Sequence, residues 1–248
     1  MLLATLIVAE WLWPRRALTL GRHPRWRTHG LFFILNAGVG RLLALVVSVG
    51  VAASLATQHN FGILNRTELP ACAEFLIAFL LLDFAVWFQH LAMHHIPFLW
   101  RMHIVHHADR DLDATTALRF HPFELIVSTL YKSAWVALLG VPAWVAIAFE
   151  LWLNANALFN HSNIALPSTA DRWLRKFLVT PDMHLVHHST VIAEQKSNYG
   201  FALTFWDRLF GTYLAESSRG RAGQDIGITA FGGERPAKFG WSILLPIA

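Results

Sequence analysis

Residues 83–95 read DFAVWFQHLAMHH: an apolar run that ends in three histidines, His90, His94 and His95. With the residues before it, the run from Pro70 to Gln89 reaches the roughly 20 residues that a helix needs to cross a bilayer. The chain around it is equally apolar. Of its 248 residues 55% are hydrophobic and 15% charged, against about 25% charged in ordinary soluble domains. These values place the chain among integral membrane proteins.

Working outward, Leu31–Ala56 is a second stretch long enough to cross, and with Pro70–Gln89 it makes a hairpin. Met1–Trp13 is too short to cross and reads as a partial first helix. Segments Phe123–Leu139 and Val141–Phe159 flank the break LGVP, where Gly140 and Pro142 end one helix and start the next. They make a second hairpin. The fold expected is therefore all-α: two transmembrane hairpins plus a partial first helix, with a helical cap, in a single membrane domain 1–248. Its parts are the N-terminal helices 1–89, a first histidine region 90–121, the second hairpin 122–160 and a C-terminal cap 161–248.

Charge sets the expected orientation. Arg15, Arg16, Arg22, Arg25 and Arg27 lie between the first two apolar segments, whereas the opposite loop holds only Arg66. The positive-inside rule then puts the arginines, both histidine-bearing blocks and the cap on the cytoplasmic face. The net charge of +4 comes from basic residues beside apolar segments, a pattern of membrane topology and not of nucleic-acid binding. Inside the second hairpin, Lys132 and Glu150 each lie nine residues from Val141, at equal depth on antiparallel helices. An unpaired charge there is costly, so they are expected to face each other or to share a polar partner such as Asn154.

Eleven of the 14 histidines fall between His90 and His188. They recur as HLAMHH, HIVHH (His103, His106, His107), FNHSN (His161) and HLVHH (His184, His187, His188). Residues three and four apart share a helix face, so each box converges on a point. Eight or nine imidazoles exceed what one four- to six-coordinate ion accepts, which argues for two metals. Spacing alone does not choose among iron, zinc and copper. The single cysteine, Cys72, excludes a disulfide framework and a Cys-rich cluster. His23, His29 and His59 read as core or interfacial residues outside the site.

The order HxxxH, HxxHH, HxxHH, with RFHPFE after the second box and FWDRLFGTY after the third, resembles the sterol desaturase and fatty acid hydroxylase superfamily over about Asp83–Tyr213. The resemblance implies a membrane-bound, non-haem di-iron oxygenase that hydroxylates or desaturates a lipid with dioxygen and external electrons. It implies His90, His94, His103, His106, His107, His184, His187 and His188 as iron ligands, with His161 the ninth. The first box reads HLAMH where the family often has HRxxH. No cytochrome-type HPGG or nucleotide-binding GxGxxG motif is present, so the electron donor is expected to be a separate partner. A di-zinc membrane hydrolase and a catalytically silent lipid- or metal-binding protein are the alternatives.

Supporting roles are expected for three further residues. Asp83, two turns before His90, is placed to accept an imidazole N–H. His121 stands beside the site or caps the second hairpin. Asn198 follows the third box within NYGFALTFWDRLFGTY, which reads as an aromatic closing element around Asp207. Trp135, Trp144 and Trp152 are candidate walls for a lipid tail.

Overall fold

The computed structural model describes residues 1–247, with residues 221 and 222 described by their backbone alone; Ala248 of the expected cap lies outside the described residues. The described residues are helical and contain only isolated β-bridges, such as Pro14 with Ile164 and Leu178 with Leu203. The helices are α1 (Leu2–Leu12), α2 (Arg22–Ala44), α3 (Val49–Gln58), α4 (Ala71–His95), α5 (Pro97–His107), α6 (Pro122–Leu139) and α7 (Ala143–Asn160). Six shorter ones follow: α8 (Ser168–Leu174), α9 (Pro181–His187), α10 (Ile192–Gln195), α11 (Phe205–Leu209), α12 (Gly220–Gly223) and α13 (Phe239–Leu244).

Two stretches, Arg22–Gln58 and Ala71–His95, are long and apolar enough to cross a membrane. The first is not the unbroken helix that its composition predicts. Helix α2 ends at Ala44, and α3 restarts after Ser48, whose hydroxyl accepts from the Val51 amide at 3.2 Å. A serine bonded to the backbone two to three residues on is a helix N-cap, and it holds the break open.

Helices α6 and α7 follow one another across the break that the LGVP stretch implies. Gly140 closes α6 in the left-handed conformation, with φ of 72°, and Pro142 caps α7. A side chain at Gly140 would come within 2.8 Å of Asn65 Nδ2, so the loop after α3 packs directly on this turn. The expected meeting of Lys132 and Glu150 is present: Lys132 Nζ lies 2.6 and 2.8 Å from the two carboxylate oxygens. Asn154 donates to the Glu150 carbonyl at 2.7 Å instead of to its carboxylate. Buried Leu82, Val86, Val136, Val145 and Phe149 join α4, α6 and α7 in the main apolar core.

The arginine segment docks on the same side as the histidine cap. Arg25 is fully buried and holds both oxygens of Asp109 at 2.8 Å, and it also pairs with Asp113. His29, outside the site as expected, lies 2.9 Å from Asp109. Arg15 reaches Asp182 in α9 at 2.6 Å, and Arg16 donates to the Gln224 carbonyl. Much of the charge that topology counting reads as a membrane signal is thus spent on specific pairs within the cap.

Candidate metal centre

The end of α4 supplies His90 and His94, and α5, which restarts at Pro97, supplies His103, His106 and His107. His161 caps the C-terminus of α7, and α9 brings His184 and His187, with His188 at its end. Three- and four-residue steps put the rings of each box on one helix face, but the second and third boxes do not each converge on one point: His106 parts from His103 and His107, and His187 from His184 and His188. The nine rings are buried and fall into two groups: His90, His94, His103, His107 and His187, and then His106, His161, His184 and His188. Within each group the ring nitrogens lie within 4.8 Å of one another.

The hydrogen bonds behind the rings fix their tautomers. His90 Nδ1 donates to the Tyr199 carbonyl at 2.7 Å, His161 Nδ1 to the Ala157 carbonyl at 2.6 Å, and His187 Nδ1 to the Ser197 carbonyl at 2.7 Å. His103 Nδ1 donates to Glu124 Oε1 at 2.7 Å. A neutral imidazole has one N–H, so these rings present bare lone pairs at Nε2. His90 Nε2 and His103 Nε2 nevertheless stand 3.1 Å apart. In the second group, His161 Nε2 lies 3.0 Å from His106 Nε2 and 2.9 Å from His184 Nε2. Between His90 and His103 both facing Nε2 atoms carry lone pairs, which repel unless a cation lies between them. With metal–nitrogen bonds of about 2.1 Å, ligands at right angles sit about 3.0 Å apart, which is the spacing seen here.

Burial also keeps the rings in the ligating, uncharged form. It pushes His187 down to about 3 and His161 to about 4, against the opposing pull of their carbonyl partners. His106, His107, His184 and His188 are held well below the ordinary 6.5, by burial first and then by neighbouring imidazoles. His94 Nε2, His107 Nε2 and His187 Nε2 are buried without a hydrogen-bond partner. Such orphaned acceptors are costly in a dry interior, and a metal ion removes that cost. The residues fit two ions.

The residues around the rings differ in part from the sequence reading. Asp83 touches no histidine of the site; its Oδ2 accepts from Trp206 Nε1 at 2.9 Å. Two turns up α4 put it level with the closing element, not with the imidazoles. His121 is a helix cap, accepting from the Phe123 amide at 3.2 Å and lying 3.2 Å from the Ile243 carbonyl. Asn198 binds backbone only: it donates to the Met183 and Leu214 carbonyls and accepts from the Leu214 amide, fastening the loop after the third box to α9. Trp144 and Trp152 pack on Phe75 and Phe79, and Trp135 on Phe84, away from the cavity that reaches the site.

Two supporting residues carry no mark of that role in the sequence. Glu124 lies inside the quoted RFHPFE, but a lone glutamate at a helix start carries no signal for a ring 21 residues earlier. The sequence marks Asp207 only as the centre of an aromatic element. It accepts from the Tyr199 amide at 2.9 Å, the Gly200 amide at 2.8 Å and Trp87 Nε1 at 3.0 Å. It thereby sets the Tyr199 carbonyl that orients His90.

A family model described as fatty acid hydroxylase matches residues 75–212, a segment that contains all nine histidines. The ornithine lipid hydroxylase OlsE of Rhizobium tropici is 29% identical over 203 residues, which cover 79% of this chain and 56% of that protein. Alkylglycerol monooxygenase of Xenopus tropicalis is 28% identical over 220 residues, covering 86% of this chain and 45% of its own length. Sphinganine C4-monooxygenase 1 of Arabidopsis thaliana is 28% identical over 210 residues, covering 83% and 74%. The chain thus spans about half the length of the first two. No solved structure matches. Because the matched segment includes every ring of both groups and the loop that orients them, the chain belongs to the fatty acid hydroxylase family, within the sterol desaturase superfamily.

Proposed function

We propose that the protein is a membrane-bound di-iron oxygenase that hydroxylates or desaturates a lipid, using dioxygen and electrons from a separate donor. The observation that carries this reading is the pair of buried imidazole groups whose Nε2 atoms converge to 2.9–3.2 Å of one another. The three named relatives are hydroxylases or monooxygenases, each with a lipid in its name. Iron held by the two groups would supply the oxidising power to break an unactivated C–H bond. His90, His94, His103, His107 and His187 would hold one ion, and His106, His161, His184 and His188 the other.

The chain's own residues aim the substrate and exclude water. Glu124 and the carbonyls of Ala157, Ser197 and Tyr199 keep four rings in their ligating tautomer. Phe120 stacks on His106, with ring centroids 4.5 Å apart, and Trp100 covers His94 and His107. The lipid reaches His90 through the cavity between α2, α4, α6 and α7. Exposed Phe33, Ile34, Leu130, Leu138, Ile147 and Leu151 on α2, α6 and α7 support a bilayer around that cavity. The arginine segment and the cap then face the cytoplasm.

Metal analysis of purified protein tests the reading, together with Mössbauer spectroscopy and product analysis under ¹⁸O₂ with a chemical reductant. Two irons per chain, and dioxygen consumption that depends on added lipid, are expected. Two zinc ions with lipid hydrolysis in the absence of oxygen would establish the hydrolase instead. Bound metal with neither activity would establish a silent binder.

A further inference from the structure

The cavity that reaches the metal centre has a volume of about 390 Å³ and two chemically different ends. One end is walled by His90, Phe120 and Glu124, the other by Lys132 and Asn154. Between them the lining is largely apolar, with Ala37, Val86, Leu125 and Leu153 among its residues. Glu124, Ser128 and Lys132 recur every four residues along one face of α6. Eight residues separate the ends, roughly 12 Å along the helix and so roughly nine or ten carbons of an extended chain.

Packing gives no reason for charge at the far end. An apolar pair of similar volume is often as stabilising as a buried ion pair, or more so. The hydrogen-bond inventory at this end is also incomplete. An ammonium has three donors, and Lys132 spends its contacts on the two oxygens of Glu150. Asn154 uses Nδ2 on the Glu150 carbonyl, and its Oδ1 receives no donor among the described residues. Lys132 and the exposed Asn154 both line the cavity, so one donor and one acceptor are left in its wall.

We propose that Lys132 and Asn154 form an oxygen-recognition site for the substrate chain. The third ammonium hydrogen donates to a neutral hydroxyl of the lipid, and that hydroxyl donates in turn to Asn154 Oδ1. The cavity then takes a lipid bearing a hydroxyl roughly nine or ten carbons, about 12 Å, from the carbon presented to the histidines. A plain hydrocarbon chain binds less well, because it buries the pair and returns no hydrogen bond. Glu150 positions the ammonium. The inference rests on the cavity being the lipid's approach to the metal centre.

Binding of 1-alkanols of seven to twelve carbons, compared with n-alkanes of equal length, tests it on the metal-loaded protein by native mass spectrometry from detergent. The alkanols are expected to bind about tenfold tighter, with an affinity that rises with each carbon up to nine or ten and levels off beyond. The doubly neutral variant Lys132→Met with Glu150→Gln, and separately Asn154→Leu, should bring that preference to within about twofold while leaving alkane binding in place. Gly40 lines the same cavity with no atom within 4 Å of an added Cβ, so Gly40→Phe should weaken alkanols and alkanes alike. Equal binding of alkanols and alkanes by the wild type would overturn the inference, as would an alkanol preference that survives in both polar variants. Unchanged binding by Gly40→Phe would overturn the placement of the ligand. Iron content and dioxygen uptake of the same samples keep the two readings separate, since an alkanol preference without iron upholds the site and sinks only the oxygenase.

Discussion

Glu124 Oε1 lies 2.7 Å from His103 Nδ1, although 21 residues separate them. A carboxylate at the first turn of α6 thereby sets the tautomer of a ring on α5 and raises the basicity of its Nε2. Replacing Glu124 by alanine should lower metal affinity at the five-histidine group by about 10–100-fold. Glu124→Gln keeps an acceptor and should lose less. Chelator competition on purified protein measures both, and equal affinity in wild type and Glu124→Ala would show that this carboxylate does not tune the site.

Asp207 acts one step further from the metal. Through the Tyr199 and Gly200 amides it holds the carbonyl that receives the His90 N–H. Asp207→Ala strands both buried amides, at a cost of about 1–3 kcal/mol each. It should lower the Tm and release metal from the His90 group first. X-ray absorption at the metal edge should show fewer nitrogen neighbours at one ion, whereas uniform loss of both ions would place Asp207 outside this support.

Arg25 and its acidic partners give a prediction about pH. Burial alone would raise the Asp113 carboxyl, but Arg25 beside it holds it below its ordinary 3.8. A carboxyl depressed in the folded state contributes stability above its unfolded pKa and loses it as pH falls through the folded value. The Tm gap between wild type and Asp113→Asn should therefore be full near pH 6 and shrink below about pH 4. Arg25→Met alone leaves buried Asp109 and Asp113 uncompensated and should cost about 3–5 kcal/mol. A gap that stays constant from pH 6 to pH 3 would remove Asp113 from the network's energetics.

Topology can be read by thiol labelling from outside the cell in a Cys72→Ser background. Asn60 and Glu234 are both exposed, so cysteine at either is reachable from its own side of the membrane. Asn60→Cys should label in intact cells and Glu234→Cys only after permeabilisation. The opposite pattern would invert the orientation.

The sequence by itself determined the helical class, the turn at Gly140 and the histidine boxes. Each depends on residues a few positions apart: glycine tolerates the left-handed turn, and three- and four-residue steps share a helix face. Depth counting on antiparallel helices extended this to Lys132 and Glu150, since a charge in apolar surroundings needs a partner and equal depth named it. The tertiary structure decided how the nine rings divide into five and four, since a box such as HIVHH sends His103 and His107 to one group and His106 to the other. It also decided which groups hold the rings, giving that role to Glu124 and backbone carbonyls and leaving Asp83 to Trp206. Backbone carbonyls are the same at every position of a sequence, and only the folded chain selects which of them stand behind an imidazole. The break between α2 and α3 escaped for a related reason: hydropathy measures how apolar a segment is, whereas a single serine bonded to Val51 decides where the helix restarts.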